Sequence, residues 1–182
     1  MVYLFLANGF EEVEALAPLD LLRRAGVAVT TVAVGGGDTV LGSHGIAVQA
    51  DIPETLYRDS APEMVILPGG MPGATNLDAS RTVDSALRAA AAHGGVLAAI
   101  CAAPMVLGKR GYLQGKTAVC YPGFEEHLLG ATLPPKGVRV VTDGKTVTAA
   151  GMGVAIEFGL ALVRLLKGDE VAAELRRTTL AD

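Results

Sequence analysis

The chain has 182 residues, 51% hydrophobic and 19% charged, a balance that excludes disorder and suits one domain, residues 1–182, with a sizeable core. Fifteen basic against 19 acidic residues leave a net charge of −4, which gives no reason to expect nucleic acid as a partner. No run of 18 apolar residues is present to span a membrane, two cysteines do not make a disulfide framework, and the first residues enter a strand-like run without a basic leader, so a cytoplasmic location is expected.

In chain order, Val2–Ala7 reads as a buried strand. Glu11–Ala25 reads as a helix, with Val13, Leu16, Ala17, Leu21 and Leu22 at helical spacing and Gly26 as its stop. Val27–Val34 is a second predicted strand. Gly35–Asp38 is a turn, and Thr39–Leu41 with Ile46–Val48 suits a small hairpin. Met64–Leu67 is a third core strand and runs into the loop Pro68–Gly73. An Ala-rich helix, Thr82–Ala92, closes at Gly94-Gly95 before the apolar strand Val96–Ile100. Beyond it come a short strand, Thr117–Val119, and a short helix, Phe124–Leu129. Val138–Thr142 and Thr146–Ala149 flank the hairpin signal Asp143-Gly144, and helices are predicted over Val154–Leu166 and Asp169–Arg176. Strands alternating with helices predict an α/β fold, a mostly parallel sheet with helices on both faces. In such sheets ligands bind beyond the carboxyl ends of the strands. Asn8–Glu14, Pro68–Gly73, Cys101–Pro104 and Tyr121-Pro122 all fall at such ends.

Cys101 is the residue with the clearest chemical reading. It follows Val96–Ile100 and precedes the helical start Ala102–Leu107, so the thiol stands on a strand-to-helix elbow where helix N–H groups would favour a thiolate. The plainer alternative is a cysteine that only packs, and Cys120 reads that way. Glu11, Glu12 and Glu14 crowd the first turn of the first helix. Dipole compensation and solvation suffice for Glu12. Glu14 lies among Val13, Ala15, Leu16 and Ala17, and burial there would raise its pKa and make it a proton donor near neutrality. Gly69-Gly70 is either a simple turn or a place where the Gly70 N–H, with that of Ala102, forms an oxyanion hole.

Other chemistries fail on spacing. Gly35–Gly37 develops no G-x-G-x-x-G, Gly115-Lys116-Thr117 is followed by a predicted strand, and Gly151-Met152-Gly153 has Ile156 where a third glycine should stand; each suits a turn or a close contact. His44, His93 and His127 are scattered, and no metal site is expected. His93, before Gly94-Gly95, suits a helix C-terminus.

The stretches Ala7–Glu14, Pro18–Asp20, Leu22–Gly26, Leu67–Gly70, Gly73–Leu77, Ala99–Pro104 and Glu157–Leu162 together resemble the ThiJ/PfpI superfamily, in the branch of the parkinsonism-linked protein deglycase and its bacterial relatives. The resemblance covers essentially the whole chain and rests on E-E-x-E, L-P-G-G and A-I-C-A-x-P in combination. It implies a flavodoxin-like three-layer sandwich of the class I glutamine amidotransferase type, usually a homodimer. It maps the family nucleophile onto Cys101, the carboxylic acid that contacts it onto Glu14, and the oxyanion donors onto Gly70 and Ala102, with Glu11 an accessory. The activity implied is that of a cofactor-free glyoxalase or protein deglycase acting on 2-oxoaldehydes such as methylglyoxal, or on glycated protein. The alternative implied is an oxidative-stress sensor or chaperone that uses oxidation of the same thiol. A role in thiazole-phosphate biosynthesis would need a phosphate cradle, which is lacking.

Two departures from the family pattern stand out. Tyr121 precedes Pro122 where human-type members carry a His, and a phenol is a poor base near neutrality. Tyr121 as a hydrogen bonder, His127 swinging in, or Glu14 acting alone would fill the role; the last is the reading preferred. Ala102 follows the nucleophile where protease-like branches have His, which weakens a peptidase reading. No His follows His127, so the His-x-Glu of glutaminase relatives is missing.

Overall fold

The structure, a computed structural model, describes residues 1–181. Its strands are β1 (Val2–Ala7), β2 (Val29–Val34), β3 (Thr39–Leu41), β4 (Ala47–Gln49), β5 (Ile52–Pro53), β6 (Met64–Leu67), β7 (Val96–Ile100), β8 (Val140–Asp143) and β9 (Thr146–Ala149). Its helices are α1 (Glu12–Arg24), α2 (Gly73–Ala79), α3 (Arg81–Ala92), α4 (Pro104–Lys109), α5 (Ala155–Lys167) and α6 (Asp169–Thr178). Seven strands form one sheet in the order β5-β2-β1-β6-β7-β9-β8. All neighbours pair in parallel except β8 with β9, joined by the Asp143-Gly144 turn. β3 and β4 form a separate antiparallel hairpin.

Apolar residues on both sides of the strands make the sandwich. Along β1, Val2, Leu4 and Leu6 join the cluster under α1 and α5, while Phe5 and Ala7 join the cluster under α2, α3 and α4. β7 divides the same way: Val96, Ala98 and Ile100 on one face, Leu97 and Ala99 on the other. Period-two side chains that are apolar on both faces demand two covering layers, which gives the flavodoxin-like three-layer α/β arrangement. α1 and α5 cross closely at Gly159, where an added Cβ would lie 2.9 Å from Pro18 Cα.

The chain leaves β1 for β2 on one side and returns to β6 on the other. The carboxyl ends of β1, β6 and β7 therefore frame the crevice where such sheets bind ligands. The 3-10 turn Glu54–Leu56 and the helix α2 were not foreseen in the sequence, and two predicted elements are corrected. Residues 117–119 pair only through a single bridge, Thr117 to Thr132. Side chains take the main-chain donors there: Asp143 accepts from Thr117 N–H at 2.8 Å and Thr148 Oγ1 from Val119 N–H at 3.0 Å. The helix expected over Phe124–Leu129 is a single 3-10 turn, Glu125–His127.

Candidate active site

Each strand end delivers one part of the site. β7 ends at Ile100, and Cys101 takes φ +64°, one of two non-glycine residues with positive φ among those described. A left-handed β-carbon-bearing residue is strained, and such strain persists only where neighbours fix it. Here the Cys101 N–H donates to Ala149 O at 2.9 Å, and its carbonyl accepts from Tyr121 N–H at 2.8 Å. The thiol is left half-buried at the top of the sheet.

β1 delivers Glu14 through the start of α1. Glu11 is the N-cap, its carboxylate accepting the Glu14 N–H at 2.7 Å, so Glu11 anchors the turn that aims Glu14 inward. Glu14 is buried, and its Oε2 accepts the Gly69 N–H at 3.0 Å. β6 delivers Gly69 and Gly70. A Cβ at Gly69 would lie 2.5 Å from both Cys101 Cβ and Glu14 Oε2, so only glycine lets elbow and helix meet. Gly70, at φ +86°, wraps against Gly9 and Phe10.

Electrostatics make Cys101 and Glu14 a pair. Burial, first, and the neighbouring Glu11 charge raise Glu14, while hydrogen bonding with Cys101, Gly69 and Met152 works the other way; the result is about 7. Burial also raises the Cys101 thiol, and the Glu14 carboxylate raises it further by charge and hydrogen bonding. The Gly70 and Ala102 amides act on the sulfur and pull its pKa down, but by less. The expectation that the helix start would by itself favour a thiolate is thus corrected. α4 is only six residues long and begins beyond the elbow, at Pro104, while the carboxylate lies beside the sulfur. When Glu14 is protonated the sign of its effect reverses, since a neutral acid donates to a thiolate instead of repelling it. One proton shared by the pair is therefore the state in which the amides and the acid both support sulfur anion.

The other candidates lie as follows. Tyr121 is half exposed, with its ring against Gly151, whose added Cβ would lie 3.3 Å from the ring and 3.8 Å from Glu14 Oε1. His127 is not brought to the thiol: its ring lies beside Phe124 and Glu126, and its carbonyl packs on Gly108 of α4. Cys120 is buried, and its thiol is pushed up to about 11, chiefly by burial. Glu12 is not solvated as expected. It is buried, and accepts from the His44 N–H at 2.8 Å and from the His44 ring Nδ1 at 2.7 Å. Donor atoms of Glu11, Glu12 and His44 come within 4.8 Å of one another, a grouping hidden in the sequence because 32 residues separate Glu12 from His44. The Glu12–His44 hydrogen bonds account for it.

Sequence reasoning missed the roles of Gly69 and of Gly151-Met152 around Glu14. The doubled glycine of Leu67–Gly70 and the glycine pair at 151 and 153 were the available signals. A cleft of about 670 Å³ lies between Asn8, Gly35, Glu54 and Arg81, and Cys101 is not among its lining residues. It holds neither a cysteine nor a histidine, and the chemistry points to Cys101 instead.

Comparison with known proteins gives a consistent result. A model of the DJ-1/PfpI family matches residues 1–165. The chain is 36% identical over 173 residues to the Parkinson disease protein 7 homolog of Danio rerio, covering 94% of this chain and 92% of that protein. It is 28% identical over 160 residues to the glutathione-independent glyoxalase DJR-1.2 of Caenorhabditis elegans, covering 88% of this chain and 84% of that protein. The structure of Toxoplasma gondii DJ-1 in oxidized form superposes with a TM-score of 0.93 at 36% identity, covering 98% and 97% of the two chains.

Proposed function

The chain belongs to the DJ-1/PfpI family, and on that premise we propose that it is a cofactor-independent glyoxalase, or a deglycase of the same chemistry, with Cys101 as nucleophile and Glu14 as its proton shuttle. The observation that carries this reading is the buried Glu14 carboxyl, poised at about 7 against a thiol held on a strained elbow. A relative named as a glutathione-independent glyoxalase supports the reaction class.

The steps balance without an external oxidant. The sulfur anion adds to the aldehyde carbon of a 2-oxoaldehyde, forming a C–S bond and sending the carbonyl electrons to oxygen. The N–H groups of Gly70 and Ala102 stabilise that oxyanion until it takes the proton Glu14 held beside the sulfur, which leaves Glu14 as the carboxylate. Glu14 as carboxylate removes the hydrogen on the same carbon to give an enediol and returns it to the neighbouring carbon. The first carbon is oxidised and the second reduced, leaving a thioester of a 2-hydroxy acid. Water breaks the C–S bond and frees the acid; methylglyoxal yields lactate. Tyr121 and His127 have no step, and Glu11 acts by positioning Glu14. The substrate is a small carbonyl compound or a glycated protein, and a cytoplasmic homodimer belongs to the same reading. Val13, Leu41 and Ile46, exposed around the start of α1 and the β3–β4 hairpin, support such assembly.

The test is conversion of methylglyoxal to lactate by purified protein without glutathione, with Cys101→Ser and Glu14→Ala beside it. Loss on the order of 10⁴-fold in the cysteine variant is expected, and full activity in either variant overturns the mechanism.

A second reading uses the same atoms. Cys101 is half-buried rather than sealed, and a protonated Glu14 would donate a hydrogen bond to a sulfinate. Two equivalents of hydrogen peroxide would each transfer one oxygen to the sulfur and leave water. A gain of two oxygens in intact mass, absent in Cys101→Ser, is the expected result for a redox sensor or stress chaperone. Oxidation confined to Cys120 would refute it.

A further inference from the structure

An open cleft of about 350 Å³ is lined by Tyr121, Pro122, Arg139, Gly151, Met152 and Val154. It abuts the reactive pair through Gly151, whose added Cβ would lie 3.8 Å from Glu14 Oε1, and through the Met152 main chain, which hydrogen-bonds Glu14. Tyr121, its other wall, is tied to the elbow through its N–H to the Cys101 carbonyl. The walls include apolar groups: Met152 and Tyr121 stand about half exposed, at 54% and 51%.

One group breaks the apolar character. Arg139 lies in the cleft lining just before β8, held in place by its carbonyl, which accepts from Ala150 N–H at 2.8 Å. Arg110 and Arg23, by contrast, are engaged by Asp78, Asp84 and Asp51. The Arg139 guanidinium makes no ion pair or hydrogen bond among the described residues. Arg139 is exposed at the rim of the cleft, and a guanidinium with no carboxylate partner among the described residues is suited to an anion carried on the substrate.

We propose that the cleft is the substrate-tail subsite of the Cys101 centre, and that its preferred substrates are 2-oxoaldehydes carrying an anionic group at the end of a short apolar chain, bound by Arg139. The inference rests on the glyoxalase reading for its reacting end. The aldehyde carbon sits at Cys101 and the anion meets Arg139 in the neighbouring cleft, with the Tyr121 ring packed on Gly151, where an added Cβ would lie 3.3 Å from it, dividing the two. Arg139 is a specificity-determining residue and takes no part in the proton transfers.

The experiment compares 4,5-dioxopentanoate with its uncharged five-carbon relative, 2-oxopentanal, by the ratio of their kcat/KM values. The native protein is expected to favour the charged compound by about 10-fold, in the range of a charge-assisted hydrogen bond. Arg139→Gln should bring the ratio near one, Arg139→Glu below one, and Arg139→Lys should restore part of it. In parallel, protection of Cys101 from iodoacetamide by each compound, read by intact mass, reports binding independently of turnover. A ratio near one in the native protein, or a ratio that Arg139→Glu leaves unchanged, overturns the subsite while leaving the glyoxalase reading standing. Charge-selective protection without turnover upholds the subsite and refutes the glyoxalase reading. Absence of both protection and turnover refutes the two together.

Discussion

Glu12 and Glu14 occupy alternate positions in one helical turn, both buried, yet their carboxyls stand at about 2 and about 7. Burial pushes both upward. At Glu12 it is overcome by donors: the His44 ring and main chain, with further help from main-chain groups of the helix start and Ile46. His44 is in turn raised by Glu12, so the carboxylate favours the protonated ring at the hairpin. At Glu14 the donors are fewer, the nearest side chain is a thiol that also carries negative charge when it ionises, and Glu11 adds a second like charge. The partner, and not the position in the helix, sets the charge state. One glutamate fastens a hairpin to a helix and the other holds a proton where it can be used.

The sharpest way to break this contrast is to neutralise each carboxyl in turn. Glu14→Gln keeps the shape but cannot accept a proton, and kcat/KM for methylglyoxal is expected to fall by at least about 10²-fold. Glu12→Gln should leave kcat/KM within a few-fold and instead cost about 1–2 kcal/mol of stability in urea melts, since it weakens a charge-assisted hydrogen bond. Equal losses of activity would erase the distinction. Gly69→Ala comes next. Its methyl group would press on Cys101 and Glu14 together, with an expected cost of about 1–3 kcal/mol and a loss of turnover from displacement of the pair, measured by melts and kinetics on the same sample.

Stability against pH separates the two carboxyls with opposite signs. Glu12, held below its ordinary 4.5, contributes stability that is present above about pH 4.5 and is lost as pH falls toward 2. Glu14, held above 4.5, costs stability as pH rises from 4.5 through 7, because the unfolded chain releases its proton first. The Glu14 contribution is on the order of 3 kcal/mol. Melts at pH 5 and pH 8 should show that Glu14→Gln gains on the native protein at the higher pH, while Glu12→Gln does not.

Much of the fold was legible because its signals are local. Both-sided apolar runs such as Val96–Ile100 and helices closed by Gly26 or Gly94 announce themselves within a few residues. α2 escaped because Pro72-Gly73 reads as a break and its N-cap makes no side-chain hydrogen bond, yet seven helical residues follow. Residues 117–119 have strand composition, but Thr117 and Val119 surrender their N–H groups to the side chains of Asp143 and Thr148, residues far along the chain. The site divides in the same way. Cys101 and Glu14 were legible from an elbow and an apolar neighbourhood. How far burial and the carboxylate raise the thiol was not, since that depends on a carboxylate and a sulfur from different strand ends meeting under Gly69. The Glu12–His44 pair was invisible for the same reason.

The central claim is that Cys101 and Glu14 titrate as one unit. It is tested most directly by the pH dependence of Cys101 alkylation with iodoacetamide in a Cys120→Ser background, with and without Glu14→Gln. The account predicts a rise in rate through about pH 7 that disappears when Glu14 is replaced. A profile that is the same with glutamate or glutamine at position 14, rising only in the ordinary cysteine range, would contradict it.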